Sequence, residues 1–162
     1  MRPLSFVSSG VAAACILALP SRPAHSQTGR PPAISTRQFV GGSVKMTVTG
    51  SIQIDQEVPI NTKASYGDGE MTWLQFGASG SDAPNALITY GETGETGINV
   101  GKGKLTATGG IMPGERSECT GTVQVTATLV SGQYSCVGVT SYDPRTGGMG
   151  KVNIKVEFTA KS

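Results

Sequence analysis

The C-terminal stretch of this chain alternates apolar and polar side chains with a period of two, the pattern of a β-strand with one buried face. Between Lys151 and Ala160, the residues Val152, Ile154, Val156 and Phe158 occupy every second position. Shorter alternating runs lie at 44–48, 52–60, 87–90, 98–100 and 123–139. Beyond the N-terminal apolar run, no segment keeps a helical period. The sequence therefore predicts an all-β protein.

Glycine is frequent, with 23 residues in the chain. Many of these glycines lie between the predicted strands, at 77–85, 91–103, 109–118 and 143–150, and we interpret these four segments as long loops. The segment 71–77 is denser in apolar residues, so we expect a strand covered on both faces, with Trp73 in the core. About seven or eight strands separated by such loops favour a single antiparallel β-sandwich, with a small β-barrel as the alternative.

The N-terminus has the layout of a secretory signal peptide over residues 1–26. It begins with Arg2, continues as an apolar run from Phe6 to Leu19 and closes with Ala24-His25-Ser26. We predict cleavage before Gln27, a flexible tether over 27–38 and one β-sandwich domain over 39–162. The expected location is periplasmic or secreted, and no membrane span is expected in the mature chain.

A lipid anchor through Cys15 is the less favoured alternative. The residues before Cys15 loosely resemble a lipidation site, but the apolar run continues beyond it to Leu19, whereas a lipidated cysteine should end that run.

Cleavage would remove the only histidine and two arginines, so the 13 basic side chains become 11 against 11 acidic ones. Without a basic excess, nucleic-acid binding is not expected. Without histidine, a Ser-His-Asp site cannot form, and two cysteines are too few for a common structural zinc site. We therefore predict a non-enzymatic protein with no catalytic residues, no metal ligands and no cofactor.

Two pairs of carboxylates remain as candidates for acid-base chemistry, Asp68 with Glu70 and Glu92 with Glu95. General acid-base pairs need one carboxyl in an apolar environment. Because these four residues flank glycine and threonine in polar segments, we interpret them as solvated loop charges. Calcium binding by the same oxygens is the alternative, although the spacing of a calcium loop is missing.

Two further patterns have weaker functional interpretations. Met112 and Met149 lie in glycine-rich segments, where core packing is a poor explanation and thioether ligation of a soft metal is the alternative. The segment 97–104 has the glycines and lysines of a phosphate loop but lacks its Lys-Ser/Thr ending, so we interpret it as a flexible turn.

Cys119 and Cys136 remain after cleavage, and in an exported chain such a pair predicts a disulfide. A tight turn at Ser131-Gly132 would place Cys136 opposite Ala127, too far from Cys119 for a bond. Either the chain reverses direction or changes sheets before Gly121, or the turn lies elsewhere. We favour a reversal at Gly121, with a bend between Cys119 and Val123.

The C-terminal third combines this cysteine-bearing strand, the turn 142–148 and the closing strand 150–158. In this respect it resembles small exported β-sandwich antigens such as the mycobacterial lipoprotein antigens. The resemblance implies a surface or periplasmic domain without a catalytic site.

The function expected from the sequence is that of an envelope or surface component, or of a module that binds an unknown protein or envelope partner through its glycine-rich loops. The first alternative is a carrier of an apolar small molecule, and the second is a carboxylate-based hydrolase.

Overall fold

The computed structural model describes residues 36–112, 114 and 117–162. The predicted signal peptide, its cleavage site, Cys15 and most of the tether lie outside the described residues. The tether prediction was wrong at its C-terminal end, because Arg37 and Gln38 already form a strand. The Arg37 side chain is buried and donates a hydrogen bond to the carbonyl oxygen of Thr126 at 2.7 Å. This contact ties the start of the domain to a turn 89 residues later.

The described residues form eleven strands: β1 Arg37–Gln38, β2 Gly41–Gly50, β3 Ile54–Pro59, β4 Tyr66–Gly67, β5 Met71–Phe76, β6 Pro84–Gly91, β7 Thr96–Lys102, β8 Leu105–Ile111, β9 Cys119–Val125, β10 Leu129–Asp143 and β11 Gly148–Lys161. Every strand pairing is antiparallel. Within the described part of the chain, no helix is long and apolar enough to cross a bilayer. The all-β prediction is confirmed, but the count of seven or eight strands was too low.

The strands form one hydrogen-bonded sheet in the order β1-β4-β5-β6-β7-β8-β10-β11-β2-β3, and β9 branches from β10. This sheet curls into a half-barrel. The curl brings the end of β3 back toward β5, where Ile60 forms an isolated bridge with Phe76. Two parts of one sheet therefore face each other across the core.

Strand β11 has the faces that its alternation predicts. The residues Val152, Ile154, Val156, Phe158 and Ala160 are all buried, and the residues between them are exposed. The Phe158 ring stacks on Tyr134 at 5.9 Å between centroids and meets the edge of Phe76 at 6.4 Å. Because Phe76 belongs to β5 and Phe158 to β11, these rings join the two facing parts of the sheet.

The disulfide prediction is confirmed, but the route of the chain around it was wrong. Cys119 and Cys136 are directly opposite in the β9-β10 ladder, with their Cα atoms 4.0 Å apart. Residues 119–125 form one strand, so the chain does not reverse at Gly121. The turn lies at Thr126–Leu129, where the Thr126 hydroxyl accepts a hydrogen bond from the Leu129 amide at 3.1 Å.

Ser131-Gly132, predicted as a turn, is part of strand β10. A Cβ atom on Gly132 would collide with the Thr122 carbonyl oxygen on β9 and would lie 2.7 Å from the Phe158 ring, so glycine is required here for close packing rather than for a turn. Gly121 has the same role, since its Cβ would collide with the Tyr134 ring and with the Gln133 carbonyl oxygen.

One of the four predicted loops is largely strand, because the segment 91–103 contains β7. The segment 109–118 begins within β8, which ends at Ile111. The segment 143–150 is a short turn followed by the start of β11. Glycines within these strands allow neighbouring groups to approach closely. A sequence pattern cannot distinguish such glycines from glycines in loops.

Candidate functional site

A cleft of about 500 Å³ lies at one end of the sheet. Four connecting segments form its walls: β2 to β3, β5 to β6, β7 to β8 and β10 to β11. Its lining residues are Ser51, Ile52, Gln53, Asp82, Lys102, Gly103, Lys104, Leu105 and Arg145. This volume lies within the range of small-molecule sites, and the cleft is open to solvent.

The β7-β8 turn forms the middle of the cleft. Lys102 pairs with Leu105, so Gly103 and Lys104 are the two turn residues, and Gly103 has a φ of +63°. Glycine adopts this left-handed conformation without the steric cost that a side chain adds. The Gly103 amide donates to the Ser81 carbonyl at 3.0 Å, which fixes the β5-β6 loop beside the turn.

Lys102 links the turn to the opposite wall, because its Nζ donates to the Gln53 carbonyl at 3.4 Å. Ile52 is buried on one side of the cleft, whereas the side chains of Lys102 and Lys104 are exposed. The cleft therefore has an ordered frame with charged groups at its surface.

Arg145 is held by the β10-β11 turn. The Asp143 carboxylate accepts a hydrogen bond from the Arg145 amide at 2.9 Å and forms an ion pair with Arg145 Nε at 3.3 Å. The first of these contacts is the main reason why the pKa of Asp143 lies below its usual value. Asp143 is therefore ionised at neutral pH, and it fixes the base of the Arg145 side chain.

Cations outnumber carboxylates in the cleft. Lys102, Lys104 and Arg145 line it together with Asp82. Ammonium and guanidinium groups donate hydrogen bonds to oxyanions, and Ser51 and Gln53 add neutral polar groups. The lining residues include neither a histidine nor a cysteine. The donors of this cleft can bind an anionic group.

A second groove, of about 470 Å³, lies on the outer face of β2, β3, β9, β10 and β11. Its charged side chains are Lys45, Glu57 and Glu157. Glu57 accepts a hydrogen bond from Ser43 Oγ at 2.6 Å, and Glu157 lies 3.8 Å from Lys155 Nζ. Two carboxylates against one ammonium give this groove an acidic lining, whereas cations are in excess in the cleft.

The carboxylates singled out from the sequence lie at the opposite end of β6 from the cleft. Strand β6 pairs with Lys102 at its first residue and with Met71 at its last. At that far end, the Glu92 amide donates to the Glu70 carbonyl at 3.3 Å, so the two acidic turns are neighbours. Within the described residues, no three acidic, histidine or cysteine side chains form a group that could hold a metal ion.

Two of these carboxylates serve their own turns. Asp68 accepts hydrogen bonds from the amides of Met71 at 2.9 Å and Glu70 at 3.0 Å, and these contacts lower the pKa of Asp68. Thr93 donates its hydroxyl to Glu95, which lowers the pKa of Glu95. A general acid needs a raised pKa, so the observed environments are the reverse of what acid catalysis requires.

The remaining candidates have different positions from those predicted. Trp73 is half-buried on the outer face of β5, not in the core, and it stacks on the exposed Tyr66 at 4.9 Å between ring centroids. Met149 lies in β11 rather than in a loop, and both Met149 and Met112 are exposed. Most of the predicted flexible turn at 97–104 is strand β7.

Sequence reasoning missed the cleft residues Asp82 and Arg145, and it assigned no role to Lys102 or Lys104. Their only signal was a glycine or proline within two residues of each, in segments far apart in the chain. A comparison of the chain with protein-family models, with curated proteins and with solved structures found no match. The resemblance to mycobacterial lipoprotein antigens stays a prediction.

Proposed function

We propose that this chain is an exported, non-enzymatic β-sheet protein, either an envelope or surface component or a binding module, that contacts its partner through the turns around the cleft. The observation that carries the proposal is the cleft itself. Four turns from distant parts of the chain meet there, and hydrogen bonds from Lys102 and Gly103 hold three of them together. Such preorganisation lowers the entropy cost of binding.

We also propose that the facing parts of the sheet act as the two layers of a sandwich. The ring contacts of Phe158 with Phe76 and Tyr134 support this view. They also disfavour a carrier of apolar molecules, because aromatic side chains occupy the space between the layers. The lowered pKa values of Asp68 and Glu95 keep both residues ionised, so neither can be the general acid of a carboxylate-based hydrolase.

The proposed location is the periplasm or the exterior of the cell. The Cys119–Cys136 disulfide supports it, because such bonds persist in oxidising compartments. Peptide sequencing of the exported protein should find Gln27 at its N-terminus. A diacylated Cys15 would instead establish a lipid-anchored protein.

The binding proposal can be tested by amide chemical shifts of the exported, isotope-labelled protein. A panel of neutral polysaccharides, acidic polysaccharides and peptides is added, and release of cleaved product is measured in the same samples. We expect at least one panel member to shift the amides of Gln53, Ser81 and Gly103 without turnover. Shifts confined to other surfaces, no shifts with any member, or measurable turnover would contradict the proposal.

A further inference from the structure

The chemistry of the cleft narrows the class of ligand, on the basis of the function proposed above. Three cationic side chains, Lys102, Lys104 and Arg145, line a space that holds one lining carboxylate, Asp82. Asp143 forms an ion pair with Arg145 through Nε, and guanidinium groups have further donors beyond Nε. The cleft therefore keeps an excess of positive charge that an anionic ligand would neutralise.

The other lining groups indicate what the anion is attached to. At about 500 Å³ the cleft is much larger than a single inorganic oxyanion needs. Gln53 offers an amide that can bond to hydroxyls. The Ser51 hydroxyl contacts the Ser141 hydroxyl at 2.5 Å, and its oxygen has a further lone pair that can accept a hydrogen bond from a ligand hydroxyl. The half-buried Leu105 offers an apolar contact. Hydroxyls, an apolar ring face and a negative charge occur together in acidic sugars.

We propose that the cleft binds an acidic saccharide, in which Lys102, Lys104 and Arg145 contact a carboxylate or phosphate while Ser51 and Gln53 contact ring hydroxyls. Asp82 then acts as a selectivity residue. Its carboxylate repels a second negative charge, and it accepts hydrogen bonds from sugar hydroxyls.

Binding is measured with a galacturonate oligosaccharide, a sugar phosphate, an uncharged galactose oligosaccharide of matched length and inorganic phosphate alone. We expect the two acidic sugars to bind more tightly than the neutral one. Their affinity should fall as salt rises from about 0.01 M to about 1 M, because the Debye length falls from about 30 Å to about 3 Å. Preference for the galacturonate over the sugar phosphate, or the reverse, identifies which oxyanion the cleft selects.

The variant Lys102→Gln with Lys104→Gln should weaken binding of the acidic sugar about tenfold, since each exposed charge contact contributes about two- to fivefold. Asp82→Asn should strengthen binding of the same sugar about threefold. The matched control is Lys63→Gln with Lys161→Gln, which makes the same charge change outside the cleft and should leave affinity unchanged. Melting curves establish that each variant is folded, and the gain expected of Asp82→Asn cannot arise from misfolding.

Several outcomes would overturn this inference. Equal binding of neutral and acidic sugars at the cleft would leave the binding function standing but refute its anion selectivity. Equal losses in the cleft and control variants would show only nonspecific attraction. If inorganic phosphate binds as tightly as the sugars, the cleft recognises an oxyanion alone and the saccharide part of the proposal is wrong. Cleft shifts that depend on protein concentration alone would indicate that a second copy of the chain occupies the cleft instead of a saccharide.

Discussion

Gly109 lies directly against the disulfide. This contact predicts that Gly109→Ala destabilises the oxidised protein but stabilises a variant that lacks the disulfide. A Cβ atom at Gly109 would lie 2.6 Å from Cys119 Sγ, 3.1 Å from Cys136 Sγ and 3.3 Å from Val139 Cγ1. All three neighbours are side-chain atoms, and the backbone of Gly109 does not need a positive φ. The two sulfur atoms are therefore the main obstacle to an alanine at this position.

In the oxidised protein, Gly109→Ala should lower the free energy of unfolding by about 1–3 kcal/mol, the usual effect of overpacking. Removing the disulfide with Cys119→Ala and Cys136→Ala should cost about 3 kcal/mol, because the bond closes a loop with a sequence separation of 17. In that cysteine-free background the alanine methyl occupies the space of the sulfur atoms. Gly109→Ala should then stabilise by about 0.4–1 kcal/mol, because alanine restricts the unfolded chain.

The two predicted effects of Gly109→Ala differ by about 1.4–4 kcal/mol, which is the coupling energy of the cycle. Urea unfolding of the four proteins measures it directly, provided that the m-values agree. Gly41→Ala is the control, because a Cβ there meets no atom within 4 Å and should behave alike in both backgrounds. Equal destabilisation by Gly109→Ala in both backgrounds would show that the sulfur contact is not what requires glycine.

Three further predictions concern the core and the acidic turns. Val156→Asp should abolish cooperative unfolding, because it buries an unpaired charge. That burial costs several kcal/mol, against a total free energy of unfolding of about 5–15 kcal/mol. A soluble variant that unfolds cooperatively would show that the buried face of β11 is misassigned. Burial raises the pKa of Tyr134 to about 12 from 10.0, so its contribution to stability is present below pH 10 and is lost as pH rises toward about 12. Tyr134→Phe should make unfolding free energies less pH-dependent in that window, and an unchanged slope would exclude Tyr134 as the cause. The double variant Glu92→Gln with Glu95→Gln should lose no activity on polysaccharide, peptide or ester substrates, because we expect none in the wild type. A wild-type activity that is lost in this variant at an unchanged melting temperature would refute the non-enzymatic proposal.

The sequence predicted the features of the fold that depend only on a short stretch of residues or on composition. The faces of β11 follow from its own alternation, because each apolar residue needs only to lie on the buried side of one strand. The disulfide followed from the predicted export of the chain and from the number of cysteines. Neither prediction needed the identity of the neighbouring strand.

The β9-β10 turn was mispredicted because its sequence has weak turn signals. Thr126–Leu129 contains no glycine, proline, asparagine or aspartate, and the apolar alternation runs through it from Val125 to Leu129. The turn is stabilised instead by the Thr126 hydroxyl and by the hydrogen bond from Arg37 to the Thr126 carbonyl. Because Arg37 is 89 residues away, no local pattern includes it.

The sequence did not predict several strands or the cleft, because glycine has two different structural roles in this chain. At Gly103 the positive φ requires glycine, and the residue forms a turn that carries Lys102 and Lys104 into the cleft. At Gly109 and Gly132 glycine lies within strands, where a disulfide and an aromatic ring occupy the space that a side chain would fill. The sequence around these positions looks the same, since what distinguishes them is a contact with a distant residue. A high glycine content in a chain of this kind therefore indicates closely packed strands as readily as long loops, and only substitution at each glycine, in the presence and absence of its neighbour, separates the two.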